Sequence, residues 1–310
     1  MRAAERVLAS ATRCVLAVAG AGGPIAAPSA FWTDRAHLWL PVPAAAEATR
    51  ELRRSPACAA YVPPVDPETP GALVRGVGRV FRVGEPLRLA LHAPAISGAL
   101  VGLATRELAG LGGGHAPPAA DVLSGALRPR AVVRVAIEDV AALRPAVAGG
   151  GIAPALPAVV PPEVRRALAG KQRIVVVAGA PGTGRGADGA GSGVGGGVGG
   201  GAGGETRWAG GFPELTVASW RAGAAGIAIE SVGAPASDDA PSGEPAGGAP
   251  VSCLCDPGLD DGRLGEVGVE VRGLLSGGEV APTMVRWWRG PDAGRAEVPA
   301  PSAGGVELPE

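Results

Sequence analysis

The chain carries one sequence pattern twice, and this feature constrains its fold more than any other. A helix-like segment at 161–170 precedes the apolar run RIVVVAGA, just as ERVLASAT precedes RCVLAVAGA in the first half. Each run leads into a turn, and Trp220 follows the second run as Trp32 follows the first. A pattern repeated over this length predicts two similar domains in tandem.

The repeat continues through a strand that contains glycine. GALVRG in the first half matches GVEVRG in the second, and in each half an arginine follows a cysteine by 17 residues: Arg75 after Cys58, and Arg272 after Cys255. Sequences rich in glycine, alanine and valine align easily by chance, but here five separate features agree in order. We therefore treat these positions as equivalent in the two predicted domains.

Short strands outnumber helices in both halves, which favours an antiparallel barrel over a doubly wound sheet. β-Branched and aromatic residues between Gly, Pro and Asp turns mark the strands. The helix near residue 50 is amphipathic, with Glu47, Arg50, Glu51 and Arg54 on its predicted solvent side. In the first half we predict helices at 3–12, 44–55 and about 86–111, and strands at 14–19, 29–34, 37–42, 57–62, 72–83 and 131–143.

Two low-complexity stretches interrupt the second half. GRGADGAGSGVGGGVGGGAGGE and GAPASDDAPSGEPAGGAP lack the apolar residues that would offset the entropy of ordering. The second stretch stands in the place of the helix at 44–55, so we expect the second half to lack that helix. The predicted organisation is a first domain at 1–150, a second domain at 151–183 and 206–292, flexible loops at 184–205 and 233–250, and a disordered tail at 293–310.

Composition and charge argue against several classes of partner. The formal net charge is -1 and no block of like charge occurs, so we expect neither nucleic acid nor an anionic membrane as a partner. The four cysteines form no C-x-x-C pair and the three histidines have no spaced ligand partners, so we expect no metal site. We interpret the cysteines as core residues in a reducing cytoplasm. No apolar stretch approaches the roughly 20 residues of a membrane-spanning helix, so we expect a cytoplasmic protein. The charge balance leaves a small molecule or another protein as the expected partner.

Five segments of the first half occur in an order that is typical of one known family: CVLAVAGAGGPIAAPSAFW, HLWLPV, EATRELRRSPACAAY, ALVRGVGRV and VVRVAIEDV. In this order they resemble the FMN-binding split barrels of the pyridoxamine 5′-phosphate oxidase-like family. The second half resembles the same fold more faintly, through PELTVASW, VEVRG and APTMVRWWRG. The resemblance implies a mainly β fold with short helices, in which two split antiparallel β-barrels in tandem form a pseudo-dimer with a degenerate second half.

The resemblance also implies a cofactor, since members of the family bind FMN, or in some branches a deazaflavin or haem, between two barrels. Two barrels in one chain would provide such a site internally. By position, Ser29, Phe31, Trp32 and Thr33 would lie along the strand that bears the flavin ring. Thr49, Arg50 and Arg53 would lie near its phosphate, on the helix.

Three further features bear on the expected site. The family's helix motif commonly opens with a lysine where this chain has Ala48, so an arginine of the same helix is the expected phosphate clamp, or else part of a solvated helix face. Arg75 and Arg272 precede glycines in equivalent strands. They are expected either to contact phosphate or substrate across a shared cleft, or to pair with an acidic neighbour across the sheet. Trp287 and Trp288 are expected on opposite faces of the closing strand, and the resemblance implies that a Trp there approaches the cofactor.

These features favour a flavin- or deazaflavin-dependent oxidoreductase that transfers hydride to or from a small organic substrate. The alternative is a non-catalytic split barrel that binds a cofactor or ligand, or that only contacts other proteins. No side chain is identified as a nucleophile. The expected state is a monomeric pseudo-dimer or a homodimer.

Overall fold

The structure is a computed structural model of the chain. It describes residues 3–43, 46–64, 69–82, 130–144, 160–168, 173–179, 211–222, 227–232, 248–259, 267–289 and 292–298. Within these ranges the chain is mainly β with short helices and forms two split antiparallel β-barrels in tandem. We call the described residues up to 144 the first half and those from 160 the second half.

The first half begins with a helix and is otherwise built on one antiparallel sheet. Its elements are α1 (Ala3–Ser10), β1 (Arg13–Val18), β2 (Ile25–Ala30), β3 (Trp32–Thr33), β4 (His37–Pro43), α2 (Glu47–Arg54), β5 (Ala57–Val62), β6 (Gly71–Arg82) and β7 (Arg130–Leu143). The strand order is β2-β1-β5-β6-β7-β4-β3. Apolar side chains line the inner face of this sheet, and α1 and α2 contribute Val7, Leu8 and Leu52 to the same core. The alternation of side chains along each strand leaves a second face that points outward.

The second half has a similar construction. Its elements are α3 (Pro162–Leu168), β8 (Arg173–Ala178), β9 (Glu214–Ala222), β10 (Ile227–Val232), β11 (Ala249–Cys255), a 3₁₀ turn (Pro257–Leu259), β12 (Val267–Ser276), β13 (Glu279–Arg289) and β14 (Asp292–Glu297). The strand order is β10-β9-β8-β11-β12-β13-β14. In addition, β10 pairs with β13 through Ile227 and Ala228, which closes the sheet into a barrel.

The two sheets share one strand order. The first reads β2-β1-β5-β6-β7-β4 and the second reads β9-β8-β11-β12-β13-β10, so each of these strands has a counterpart. The counterparts β6 and β12 both shift register at one place, after Arg75 and after Arg272. The residues that follow, Gly76 and Gly273, lie so close to the next strand that a Cβ would meet a backbone carbonyl oxygen of β7 or β13. Both irregularities therefore require glycine.

The strand registers correct the predicted match between two cysteines. Cys58 pairs with Gly76, whereas the residue that pairs with Gly273 is Val251. Cys255 lies four residues further along β11, so the equal spacing from cysteine to arginine is a coincidence. A small apolar side chain fits both positions, so the cysteines do not indicate which strand positions of the two halves are equivalent.

The match between the two tryptophans is also wrong, by one residue. Arg13 pairs with Ala30 and Arg173 pairs with Ser219, so the equivalent next residues are Phe31 and Trp220. Both of these are fully buried in their barrel cores. A large aromatic ring that fills the barrel is the shared feature, and the side chain of Trp32 lies outside that core.

The outward faces of the two sheets pack against each other through one apolar cluster, which we call the interface cluster. It contains buried residues of both halves: Val15, Ala17, Ala26, Ala59, Tyr61, Leu73 and Leu143 from the first, and Val175, Val177, Leu215, Val217, Leu254 and Leu259 from the second. Trp288 packs against the same cluster, whereas Trp287 packs against the core of the second barrel. The prediction that these two rings point to opposite faces is confirmed. The burial of this apolar area holds the two halves together.

Most predicted elements of the first half are confirmed in type and position. The strand expected at 29–34 is divided, because Phe31 separates β2 from β3; its side chain enters the core and its N–H donates to the Thr12 carbonyl oxygen. The predicted turn that follows contains Arg35, whose φ of 76° is the left-handed value. The helix expected at 86–111 and the loop expected at 184–205 lie outside the described residues, as does 233–247.

The tail predicted to be disordered at 293–310 is wrong in its first part. Residues Asp292–Glu297 form β14, which pairs with β13 along its whole length. The sequence DAGRAE has no apolar alternation, and the strand forms because the edge of β13 offers backbone hydrogen bonds. Gly294 lies against the indole ring of Trp287, where a side chain would clash. The loop predicted at 233–250 also ends early, since β11 begins at Ala249.

The four cysteines are free and buried, as the sequence predicts. Burial raises the pKa of each thiol, to about 12 for Cys58 and Cys253. In the described part of the chain, no helix is long and apolar enough to cross a membrane. The same residues contain no group of three His, Cys, Asp or Glu side chains that could hold a metal ion.

Candidate functional site

Charged side chains of both halves meet at one edge of the interface, which we call the junction. From the first half the junction includes Glu47, at the start of α2. From the second half it includes Glu270 and Arg272 on β12, Arg286 on β13 and Arg295 on β14. The ladders place Arg286 directly between Glu270 and Arg295, so three charged residues form one row across three strands. The four residues of the second half lie on the outward face of the second sheet, because alternate residues of a strand point to opposite faces.

Glu270 is the buried centre of the junction, with its side chain 1% exposed. Its carboxylate accepts hydrogen bonds from the Ala26 N–H of the first half, the Ser252 hydroxyl and the Arg272 Nε, each at 3.0 Å. Arg272 Nη2 donates to the second oxygen at 3.2 Å, and Arg286 Nη1 lies 3.5 Å from the same oxygen. A buried carboxylate needs such partners to remain charged, and here they come from both halves.

Arg272 joins this buried carboxylate to the first half. Its Nη1 and Nη2 donate to the two carboxylate oxygens of Glu47 at 2.8 and 2.9 Å, which is the bidentate geometry of a strong ion pair. Burial alone would lower the pKa of the Arg272 guanidinium, but the hydrogen bonds to Glu47 and the charge of Glu270 raise it. Arg272 therefore stays charged and is shared by two carboxylates.

Glu47 is held as an anion by its surroundings. The hydrogen bonds from Arg272 lower its pKa, partial burial opposes this effect, and the charges of Arg272, Arg295 and Arg286 lower the pKa further. The Glu47 side chain is still 23% exposed, whereas that of Arg272 is only 7% exposed. Glu47 is thus the member of this ion pair that solvent can reach.

The equivalent arginine of the first half has a different partner. Arg75 pairs across the sheet with Asp139 at 3.3 Å, and its side chain is 41% exposed. The residue that pairs with Arg272 in the same register is Met284, which carries no charge. Because β13 provides no acid at this position, Arg272 bonds to Glu47 instead. Of the two alternatives predicted for Arg75, the structure contains the cross-strand pair.

The structure does not bring the other predicted site residues of α2 and β2 to the junction. Ser29 pairs with Cys14 on the core-facing side of the sheet, and its hydroxyl donates to the Ala30 carbonyl oxygen at 3.0 Å. Thr49 is fully buried. Arg50 is exposed on the solvent side of α2. Their roles in cofactor binding stay predictions.

Trp32 and Thr33 lie in a different place, on β3 at the far edge of the first sheet. Trp32 packs against a small outward-facing cluster of Trp39, Phe81 and Val132. The Arg134 guanidinium carbon lies 6.0 Å and 5.9 Å from the ring centroids of Trp39 and Phe81, within the range of a cation–π contact. Thr33 accepts a hydrogen bond from the Arg35 N–H at 3.1 Å, within the turn.

Two apolar side chains flank Arg286 on the same face of β13. Met284 is 7% exposed, and Trp288 packs on the interface cluster. The Trp288 Nε1 is buried and has no hydrogen-bond acceptor among the residues that the structure describes. Guanidinium groups and apolar side chains therefore lie next to one another on this face of the second sheet.

The start of α2 is an unfavourable place for a phosphate. A phosphate at α2 would lie beside the carboxylate of Glu47, which already holds Arg272. Ala48, where the resembling motif commonly has a lysine, packs in the first core. The carboxylate at the start of α2 is thus engaged in an ion pair with the second half, and the predicted phosphate clamp, Arg50, stays a prediction.

Sequence reasoning missed most of the junction. The helical pattern predicts Glu47 and Glu51 on the solvent side of α2, but Glu51 is 8% exposed and accepts hydrogen bonds from the Ala21 N–H and Arg54. Glu270 occupies the strand position that is equivalent to the apolar Leu73. An acidic residue at a position that is apolar in the other half is a sequence signal for a polar contact at that place. Arg286, within APTMVRWWRG, is a second such signal.

No protein-family model matches this chain, and no curated protein matches it. Among solved structures it is similar to an FAD-binding protein from Mesorhizobium loti, with 19% identity, a TM-score of 0.32, and coverage of 44% of this chain and 86% of that one. It is also similar to a protein of the pyridoxinephosphate oxidase family from Clostridium acetobutylicum, with 10% identity, a TM-score of 0.31, and coverage of 45% and 84%. A third similar structure is an F420 reductase, with 20% identity, a TM-score of 0.31, and coverage of 45% and 97%.

Proposed function

We propose that this chain binds a flavin-type cofactor, a flavin or a deazaflavin, at the junction between its halves, and that it acts as an oxidoreductase of the pyridoxamine 5′-phosphate oxidase-like type. The observation that carries the proposal is the meeting of α2 with the arginine-bearing face of the second barrel. The resemblance of the sequence segments implies a cofactor between two barrels. One chain with two packed barrels supplies both sides of such a site.

The second half supplies the side chains that we assign to the cofactor. Arg286, whose side chain is 35% exposed, and the exposed Arg295 would contact its polar or anionic groups. Met284 and Trp288 would form the apolar wall beside the ring. Arg272 is less available, because two carboxylates already engage it.

The cofactor, when bound, supplies the hydride chemistry. The residues of the chain bind it, orient it and exclude water from one side through the interface cluster. The described side chains of the junction are guanidinium groups and ion-paired carboxylates, so we assign them binding and orientation and no covalent step. The substrate class is a small organic molecule that contacts the exposed side of the ring.

A second candidate function is a split barrel that binds a ligand without turnover. The Glu47–Arg272 ion pair favours this second function, because the two side chains occupy the place where the resemblance implies the phosphate of the cofactor. In this case the junction would bind ligands through Arg286 and Arg295 alone. Measurement of hydride transfer with a bound cofactor separates the two functions.

The proposal includes an internal duplication and a monomeric pseudo-dimer. The shared strand order and the two equivalent register shifts at Gly76 and Gly273 support the duplication. The interface cluster supports the monomeric state, since the outward faces of both barrels are already covered over this area. Among the described residues, the first half has Leu73 and Ala141 where the second has Glu270 and Arg286, so we propose one site per chain.

The experiment that tests the proposal is a fluorescence titration of the purified full chain with riboflavin, FMN, FAD and a deazaflavin. We expect at least one of these ligands to bind at micromolar concentration. Arg286→Ala and Arg295→Ala should weaken binding by about tenfold, as expected for the loss of a charge-assisted contact. Arg166→Ala removes an exposed arginine of α3 and is the matched control, which should leave binding unchanged; Arg50→Ala tests the separate prediction that Arg50 contacts the phosphate. If none of the four ligands binds, the proposed function is wrong.

A further inference from the structure

We infer that Glu47 is a specificity-determining residue of the junction: its carboxylate occupies the guanidinium of Arg272 and so prevents recognition of a phosphate monoester there. The ligand's flavin-type identity rests on the proposed function, but the exclusion of phosphate does not. The inference concerns one side chain, its two hydrogen bonds and the charges around it.

The first step is that the junction would otherwise attract an anion strongly. Arg272, Arg286 and Arg295 lie on one face of three adjacent strands, and each contributes to lowering the pKa of Glu47. Guanidinium groups bind phosphate and carboxylate through the same planar fork. Three such groups in a partly buried place are a common arrangement for binding phosphate.

The second step is that the fork of Arg272 is already in use. Its Nη1 and Nη2 bond to Glu47, and its Nε bonds to Glu270. Glu270 is the permanent partner, because its side chain is 1% exposed and it also bonds to Ala26 and Ser252. Glu47 is the exchangeable partner, because it is exposed enough for a ligand to approach.

Displacement of Glu47 from Arg272 by a phosphate costs free energy. A phosphate dianion that enters must displace Glu47 from Arg272 and remain near its negative charge, which repels it. An uncharged flavin tail suffers no such repulsion. The junction therefore favours flavin-type ligands that place no phosphate monoester at α2.

The test compares Glu47→Gln with the wild-type chain and uses inorganic phosphate as the probe. Glutamine keeps the size of the side chain and removes its charge. We expect phosphate to raise the melting temperature of Glu47→Gln and to leave the wild type unchanged at the same ionic strength. Glu163→Gln is the charge-matched control on α3, where the glutamate pairs only weakly with Arg166 at 3.7 Å, and it should behave like the wild type. Glu47→Asp keeps the charge and should also remain insensitive to phosphate.

A second arm uses the pair of FMN and riboflavin, which differ by the phosphate. In the wild type we expect FMN to bind no more tightly than riboflavin, and in Glu47→Gln we expect the affinity for FMN to rise by about tenfold while that for riboflavin stays unchanged. If phosphate stabilises the wild type as strongly as Glu47→Gln, the inference is overturned, whatever happens with flavins. If the phosphate result is as expected but neither flavin binds, the inference stands and the proposed function fails. If Glu47→Gln does not fold, Glu47→Met provides a second neutral side chain of similar length.

Discussion

Arg272 of the second half donates two hydrogen bonds to Glu47 of the first half, at 2.8 and 2.9 Å, although 225 residues separate them in sequence. The same guanidinium bonds to the buried Glu270, whose carboxylate in turn accepts the Ala26 N–H of the first half. Polar contacts thus cross the interface twice at one edge. Substitutions at the junction therefore test how far the stability of one half depends on the other.

Replacing Arg272 with methionine should destabilise the protein strongly. The change leaves Glu270 buried with its main charged partner removed, and breaking a buried pair in this way costs about 3–5 kcal/mol. Urea unfolding followed by circular dichroism measures the effect. The matched control is Arg75→Met at the equivalent strand position, where the exposed pair with Asp139 should account for less than about 1 kcal/mol. Equal losses for the two variants would contradict the assigned role of Arg272.

The ion pair should also give the protein a measurable dependence on acid. The folded state lowers the pKa of Glu47 below its ordinary 4.5, so the contribution of Glu47 to stability is present above that value. It is lost as the pH falls through the lowered folded pKa. The stability difference between wild type and Glu47→Gln should therefore shrink on acidification below about pH 4.5. A difference that stays constant down to pH 2 would show that Glu47 is not charged in the folded protein.

All four thiols should be unreactive in the native protein. Burial raises their pKa values, to about 12 for Cys58 and Cys253, so almost no thiolate forms near neutral pH. Labelling with a thiol reagent should be slow in buffer and complete in denaturant. The same shift implies that stability falls as the pH rises above the ordinary thiol value of 9.0, because only the unfolded chain then loses these protons. Rapid labelling of any one cysteine in the native state would show that its core position is wrong.

The glycines at the two register shifts should tolerate no side chain. At Gly76 and Gly273 an added Cβ would meet the backbone carbonyl oxygen of the neighbouring strand, so alanine at either position should cost about 1–3 kcal/mol. The control is Gly22→Ala, since no atom lies within 4 Å of a Cβ placed there. Thermal unfolding of the three variants measures the difference. If only one of the two strand glycines proves sensitive, the halves are less alike than their strand order indicates.

The fold could be predicted from the sequence because its signals are local. Aromatic and β-branched residues mark β1, β4 and β5, and Pro56 marks the end of α2. The strand β14 could not be predicted, because DAGRAE has no apolar alternation and pairs only where the edge of β13 is available. The register of the repeat was also missed, since the equivalence of Phe31 with Trp220 depends on which side chain fills each barrel.

The junction could be predicted only in part. Arg272 was singled out by its position before a strand glycine, and that position does lie at the interface between halves. Its partner was not predictable, because the contact with Glu47 depends on how one barrel packs on the other. The charge pattern of α2 predicts that Glu47 is solvated. Glu47 is instead ion-paired, because the outward face of β12 presents Arg272 to it.

We propose that the junction between the halves binds one flavin-type ligand per chain. Equilibrium dialysis of the chain with riboflavin gives this stoichiometry without any assumption about activity. We expect one ligand per chain at saturation, with binding weakened by Arg286→Ala. No retained riboflavin, or two ligands per chain with Arg286→Ala unchanged, would contradict it.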